Sequence, residues 1–147
     1  MIKYILITIS FFFFNSCKSQ HLECGDLLEK YGEKPQHLDF ISCKEGKGQT
    51  ILVAEYKVEG KYSEEVEEFL IEKYNIGKLE FVCCGWEPSG GKRGNITPPE
   101  LIAIDPYYIL EISMFGNAEK EDENGKVQLE FDRTKIDFVV MVRIIRV

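Results

Sequence analysis

Apolar residues recur every three to four positions in two stretches of the chain, residues 21–32 and 63–75. This spacing is typical of a helix with one buried face. Ser63 is the expected N-cap of the second helix, and Gly32 and Gly77 are expected to end the two helices. The apolar positions are Cys24, Leu27, Leu28 and Tyr31 in the first helix and Val66, Phe69, Leu70 and Tyr74 in the second.

Five other stretches have the composition of β-strands, and the last of them shows the alternation of apolar and polar residues with a period of two. The order helix, two strands, helix, three strands predicts an α+β fold: an antiparallel sheet of about five strands with two helices packed on one face. In the last stretch, Asp137 and Arg143 lie opposite an apolar face of Ile136, Phe138, Val140, Val142 and Ile144. The expected strands are residues 37–43, 50–58, 79–87, 107–115 and 135–145.

The beginning of the chain carries an apolar run that is too short to span a membrane. Lys3 is followed by YILITISFFFF, which has the length of a signal-peptide core rather than the roughly 18 residues of a membrane span. Phe14 is too bulky for ordinary cleavage after Ser16, because that site requires small residues. The sequence Phe14-Asn15-Ser16-Cys17 instead resembles a bacterial lipoprotein signal, in which the cysteine becomes the lipid-modified first residue.

Cys17 is therefore expected to carry lipid rather than to form a disulfide. Its thiol can form a thioether to diacylglycerol, and acylation of the new amino terminus adds a chain, so that the protein is held stably on a bilayer. The sequence CKSQ that begins at Cys17 is similar to mature starts of lipoproteins in the Bacteroidetes group. The alternative is an uncleaved helix with an incidental cysteine. The prediction is a signal peptide (1–16), a lipidated tether (17–22) and a single α+β domain (23–147) in the bacterial cell envelope.

Four further cysteines, an even number in a chain expected to be exported, favour two disulfides. Alternation along residues 79–87 would send the adjacent pair to opposite sides of the sheet. We therefore expect each of the two to bond a separate partner, in the first helix and the first strand, so that the domain is disulfide-stapled. Free buried thiols are an alternative, and zinc is disfavoured because no Cys-x₂₋₄-Cys pair occurs. The cysteines are Cys24, Cys43, Cys83 and Cys84.

The charge balance excludes some classes of partner. The chain has 25 acidic and 18 basic side chains, a formal charge of −7, and loss of the signal peptide with Lys3 would bring it to −8. An acidic protein repels phosphate backbones, so nucleic-acid binding is not expected. His21 and His37 have no neighbour in the sequence that would orient them, and no nucleophile-elbow, zinc-protease or P-loop motif occurs. No catalytic residue, metal site or cofactor is predicted.

Residues 85–99, GWEPSGGKRGNITPP, are the best candidate for a binding surface. They contain the only tryptophan, Trp86, together with Glu87, four glycines and the pair Lys92 and Arg93. Loops of this length in compact domains are often functional. The alternative is a flexible hairpin loop whose tryptophan only covers the core.

Three stretches resemble an uncharacterised family of bacterial secreted proteins, domain of unknown function 4952. They are Cys24–Lys44, Ala54–Glu87 and the segment near Tyr108–Met114, and the most specific part is VCCGWE, residues 82–87. The resemblance implies a shared fold and cysteine framework and an exported protein. It implies no activity.

These observations predict a lipid-anchored envelope protein whose domain binds a protein or a small polar ligand. The alternative is an inhibitor or immunity-type protein whose acidic face blocks a basic partner, which the net charge favours. An enzyme is the least favoured class, because no residue constellation for catalysis is evident.

Overall fold

The computed structural model describes residues 22–147, so the predicted signal peptide, Cys17 and His21 lie outside the described residues. Within this range the chain forms nine strands, of which seven build one antiparallel sheet and two form a separate hairpin. The strands are β1 (Asp39–Glu45), β2 (Thr50–Val58), β3 (Leu79–Val82), β4 (Gly85–Pro88), β5 (Gly94–Ile96), β6 (Tyr108–Asn117), β7 (Glu119–Glu121), β8 (Val127–Leu129) and β9 (Phe138–Arg146).

The large sheet has the order β1-β2-β9-β6-β4-β3, and β5 also pairs with β6. The last strand of the chain therefore lies in the middle of the sheet, between β2 and β6. The strands β7 and β8 form the separate hairpin in the connection from β6 to β9. The α+β antiparallel architecture is as predicted, but the strand count exceeds the expected five.

In the described part of the chain three α-helices accompany the sheet: α1 (Leu27–Tyr31), α2 (Ser63–Tyr74) and α3 (Pro99–Ile102). The buried side chains of α1 and α2 join one apolar cluster with alternate residues of β2, β6 and β9, so both helices cover the same face of the sheet, as predicted. All five residues predicted to form the apolar face of the last strand are buried. None of the helices within residues 22–147 is long and apolar enough to cross a membrane.

The predicted strand 79–87 is wrong as a single strand. Cys83 has φ of 56°, a left-handed conformation that cannot continue a strand, so β3 turns back into β4 at Cys83 and Cys84. Gly85 then approaches β6 so closely that a Cβ atom there would lie 2.3 Å from the carbonyl oxygen of Gly116. The following residues are not a flexible loop either, because they form β4, a 3₁₀ turn at Ser89–Gly91 and β5.

Two predicted helix ends are also corrected. The N-cap of α2 is Tyr62 rather than Ser63, because a 3₁₀ turn at Gly60–Tyr62 leads directly into the helix. The helix is capped by Asn75, which adopts the left-handed conformation (φ 59°) two residues before the predicted Gly77. Gly32 ends α1 as predicted, with its N–H donating to the carbonyl of Leu28.

The segment before α1 is held to the sheet by a covalent bond. Cys24 lies before the helix rather than within it and forms a disulfide with Cys43 of β1, with a Cα–Cα distance of 5.5 Å. The expected linkage of Cys24 and Cys43 to the adjacent cysteines is therefore wrong. The prediction fails because of the strand order: β1 and the β3–β4 turn lie at opposite edges of the sheet, too far apart for a disulfide.

The short helix α1 also has a polar attachment to the sheet. The carboxylate of Asp26, its N-cap, accepts hydrogen bonds from the N–H of Glu29 at 3.1 Å and from the hydroxyl of Tyr56 at 2.8 Å. The same hydroxyl accepts the N–H of Leu28 at 3.0 Å. Because Tyr56 is a buried residue of β2, this chain of bonds fixes the start of the helix against the core.

Candidate functional site

The pairing of the sheet is interrupted along one edge of β6. On one side β6 pairs with β9 over residues 108–116. On the other side, β5 pairs with residues 110–112 and β4 pairs with residues 116 and 117. Within the described part of the chain, residues 113–115 have no strand partner on that side. The segment between β4 and β5 leaves the sheet and returns, so that a gap three residues long separates the two short strands.

A groove of about 500 Å³ lies at this gap. Ser113, Phe115 and Asn117 alternate with the core residues of β6, so their side chains lie on the sheet face opposite the helices. The β3–β4 turn and β4 form one wall, and Arg93 and Arg143 lie at the end nearest β5. Small-ligand sites in proteins have volumes in this range. The groove is therefore large enough for a small molecule or a few residues of peptide.

Two arginines share one carboxylate at the β5 end of the groove. Glu111 Oε1 accepts a hydrogen bond from Arg93 Nη1 at 3.0 Å and from Arg143 Nη1 at 2.9 Å. Only 13% of the Glu111 side chain is exposed, against 50% for Arg93 and 25% for Arg143. One carboxylate neutralises one guanidinium, so this end carries an excess positive charge. Arginine also offers several donors in a planar fork that fits a carboxylate.

The opposite end of the groove is acidic. Glu119 follows β6 and lines the groove beside Cys84 at this end, whereas Glu87 lines it from β4, next to the gap itself. Neither carboxylate has an ion-pair partner among the described residues. Residues 111 and 117 of an extended strand are roughly 20 Å apart. The groove thus has a cationic end and an anionic end, separated along β6.

Trp86 contributes more to the core than to the groove. Its register partner is Gly116, which belongs to the core-facing set of β6, and its ring packs against the apolar core. The guanidinium of Arg133 lies 5.2 Å from the centre of the ring, and Phe81 meets it edge-on at 5.7 Å. Its Nε1 is buried, with no hydrogen-bond acceptor within residues 22–147. The alternative interpretation of the sequence, a tryptophan that covers the core, describes the ring better.

The other predicted binding residues separate into two groups. Glu87 and Arg93 line the groove together with part of Trp86. Lys92 does not line it, because its Nζ donates to Asn75 Oδ1 at 2.7 Å, at the end of α2. Sequence reasoning missed Glu111, Arg143 and Glu119. Alternation placed Arg143 on the outer face of its strand, but only the pairing of β6 with β9 brings it beside Arg93.

Metal and histidine chemistry find no support in this part of the protein. Within residues 22–147 no group of three or more histidine, cysteine or acidic side chains is arranged to hold a metal ion. His37 stacks on the ring of Tyr62, with the ring centres 3.7 Å apart and the planes within 7°. The imidazole thus packs on an aromatic ring, outside the residues that line the groove.

The protein is thus an α+β domain with a groove on the open face of its sheet, and the two ends of the groove carry opposite charges. Residues 15–86 match the model of a family described as domain of unknown function (DUF4952), which supports the resemblance to that family over this stretch. The match ends before the segment near Tyr108–Met114. No curated protein and no solved structure gives a significant match. The family has no described activity, and nothing in the comparisons indicates an enzyme.

Proposed function

We propose that this protein is a binding protein of the bacterial envelope whose groove takes a short extended peptide segment. The proposal rests on the opposite charges at the two ends of the gap beside residues 113–115. A peptide added there would run antiparallel to β6, as β4 and β5 do. Its amino end would then point to Glu119 and its carboxyl end to Arg93 and Arg143.

The physical basis is strand addition. An extended peptide that joins a sheet edge gains main-chain hydrogen bonds, while side chains and termini supply specificity. The unpaired part of β6 offers such an edge, and the flanking strands limit its length to a few residues. Phe115, 38% exposed on the open face, provides apolar contact for one peptide side chain.

The test is titration of the isotope-labelled protein with tetra-alanine, which is roughly 13 Å long when extended. We expect shifts of the amide signals of residues 113–115 and of the side-chain Nε–H signals of the two groove arginines. A tetra-alanine with an amidated carboxyl end should bind about 10-fold more weakly, because it cannot pair with guanidinium groups; that ratio corresponds to about 1.4 kcal/mol.

A variant isolates the cationic end. Arg143→Gln should weaken binding of the free peptide about 10-fold and leave binding of the amidated peptide unchanged. The matched control is Arg146→Gln. Arg146 lies on the same strand, but its guanidinium pairs with Asp105 outside the groove. Equal affinity for both peptides, or equal effects of the two variants, would overturn the assignment of the groove.

Anchoring is a separate part of the proposal. Cys17, outside the described residues, would become the lipidated first residue of the mature protein and hold the domain on the envelope membrane. Metabolic labelling with an alkyne fatty acid should tag the wild-type protein and spare Cys17→Ala. Labelling of both proteins, or an intact Met1 in the mature protein, would contradict it.

The second candidate is an inhibitor or immunity-type protein. It is favoured by a ridge of exposed acidic residues on α2, at Glu64, Glu65, Glu68 and Glu72. A basic partner held on this ridge would be released by salt and by Glu68→Lys, and it would be insensitive to Arg143→Gln. Binding that follows the ridge and not the groove would replace the peptide-binding proposal.

A further inference from the structure

The two adjacent cysteines form an unusual turn at the wall of the groove. Cys84 N–H donates to the carbonyl of Val82 at 2.7 Å, two residues back, which closes a γ-turn centred on Cys83. Cys83 has φ of 56°, a conformation that a residue with a Cβ atom rarely adopts. Backbone strain of this kind persists where the surrounding structure imposes it, often at functional sites.

The thiols of this turn are accessible and not bonded in the structure. Cys83 is exposed and Cys84 is half-exposed, and both line the groove. In residues 22–147 they are the only cysteines outside a disulfide, because Cys24 and Cys43 bond to each other. A second disulfide in this domain would therefore have to join Cys83 to Cys84.

We propose that Cys83 and Cys84 are a redox-active pair, which a low-molecular-weight or protein disulfide oxidises to a bond between the two neighbours. Cys83, the more exposed thiol, loses its proton and attacks one sulfur of the oxidant. The oxidant's disulfide breaks, and its first thiolate leaves and takes up a proton. Cys84 then loses its proton and attacks the sulfur of Cys83, which releases the second thiol. Two electrons and two protons pass from the pair to the oxidant.

The contact between the thiols supports this order of steps. A hydrogen bond with Cys83, then burial and the nearby charges of Cys83 and Glu119, raise the pKa of the Cys84 thiol to about 11. Cys84 is therefore protonated and unreactive while Cys83 is a free thiol, since the thiolate is the nucleophile. Once Cys83 carries a mixed disulfide, that hydrogen bond and that charge are lost. The largest cause of the raised pKa of Cys84 is then gone, while burial and Glu119 remain, and the adjacent Cys83 sulfur is in reach for the second step.

The bond closes a small ring that contains the peptide bond between the two residues. Such a ring distorts the backbone, and strained disulfides are the ones that are easily reduced. The Cys24–Cys43 bond, which closes a loop of 19 residues without this constraint, is expected to resist the same reductant. The chemistry of the pair does not depend on the peptide ligand proposed above.

The experiment uses the full chain with Cys17→Ala, equilibrated with mixtures of reduced and oxidised glutathione, alkylated and digested with trypsin. The peptide of residues 79–92 contains both cysteines, whereas Cys24 and Cys43 lie on other peptides. We expect this peptide to lose both alkyl labels as the mixture becomes oxidising and to be two hydrogens lighter, with return of both labels on reduction. The peptides of Cys24 and Cys43 should stay joined throughout.

The variant Cys84→Ser separates the two steps. It should stop at a mixed disulfide between glutathione and Cys83, because the second nucleophile is missing. Persistent double labelling of the 79–92 peptide in fully oxidised glutathione would overturn the proposal. So would oxidation of the wild type that yields only glutathione adducts or disulfide-linked dimers.

Discussion

Arg133 and Glu67 form an ion pair that ties the segment before β9 to α2: Nη1 lies 2.8 Å from Oε2. Their side chains are only 13% and 5% exposed. The pair is also hydrogen-bonded, because Arg133 Nε donates to Ser63 Oγ and Glu67 Oε1 accepts the N–H of Leu79. A buried charge without its partner is costly, so removal of one side of this pair affects more than one contact.

The first prediction follows from that pair. Arg133→Met leaves Glu67 buried without its cation and should lower the free energy of unfolding by about 3–5 kcal/mol, measured by urea denaturation. The matched control is Lys57→Met, which breaks an exposed pair with Asp137, about half exposed on both sides. That control should change the free energy of unfolding far less, because an exposed ion pair contributes little to stability. Similar losses of stability in the two variants would show that burial does not determine how much an ion pair contributes to the free energy of unfolding.

Trp86 supports the second prediction, which separates core packing from binding. Trp86→Ala should lower the free energy of unfolding by about 3 kcal/mol, because the ring packs on the core and beneath Arg133. Arg93→Ala, which removes an exposed guanidinium on the same connection, should change stability by less than about 1 kcal/mol. Thermal and urea unfolding of both variants test this. Unchanged stability in Trp86→Ala would contradict the core-packing role and favour the interpretation of Trp86 as a binding residue.

The third prediction concerns the Cys24–Cys43 disulfide. It closes a loop of 19 residues, so replacement of both cysteines by alanine should lower the free energy of unfolding by about 3 kcal/mol. The matched control is Cys83→Ala with Cys84→Ala, which removes two cysteines that are not bonded in the structure and leaves the Cys24–Cys43 bond in place. Urea denaturation of the wild type and the two double variants, without reductant, measures both losses of the free energy of unfolding. A larger loss in the control would show that the turn, rather than the disulfide, stabilises the domain.

Local patterns in the sequence predict the main helices and strands of this fold. They fail where the structure depends on which strands pair with each other. The alternation in residues 135–145 correctly predicts a buried face, because a central strand must bury every second residue on the helix side. The same rule fails at residues 79–87, where alternation continues through Cys83 although the backbone turns there. A positive φ at a non-glycine residue has no signal in composition, so β3 and β4 could not be separated.

The candidate site was predictable only in part, for a related reason. The segment of residues 85–99 contains Glu87 and Arg93, which line the groove, and its content of aromatic and charged residues indicates a surface role. Glu111 and Arg143 lie on distant strands, and neither is distinctive in the sequence. Only the register of β6 against β9 and β5 brings them to Arg93. The prediction of cysteine pairing fails in the same way, because the strand order, which local patterns do not give, places Cys43 far from Cys83 and Cys84.

The last prediction is a pH dependence of stability at Asp26. Burial opposes ionisation of this carboxyl, but hydrogen bonds from Lys34, from the N–H of Glu29 and from Tyr56 outweigh it and lower the pKa of Asp26 below its usual value. A group with a lowered pKa in the folded state stabilises that state above its unfolded pKa, about 3.9. This stabilisation is lost as the pH falls through the folded pKa.

Asp26→Asn tests that sign, because the amide oxygen can still cap α1 and accept from Tyr56 while the charge is removed. At pH 7 the variant should be less stable than the wild type by about 1–2 kcal/mol, and the difference should shrink toward zero as the pH is lowered below about 3.9. Urea denaturation of both proteins across this range is the measurement. The matched control is Asp137→Asn at an exposed pair, which should shift stability little at any pH. A difference for Asp26→Asn that stays constant with pH would mean that the amide disturbs packing, and that the carboxylate's charge does not hold α1 to the sheet.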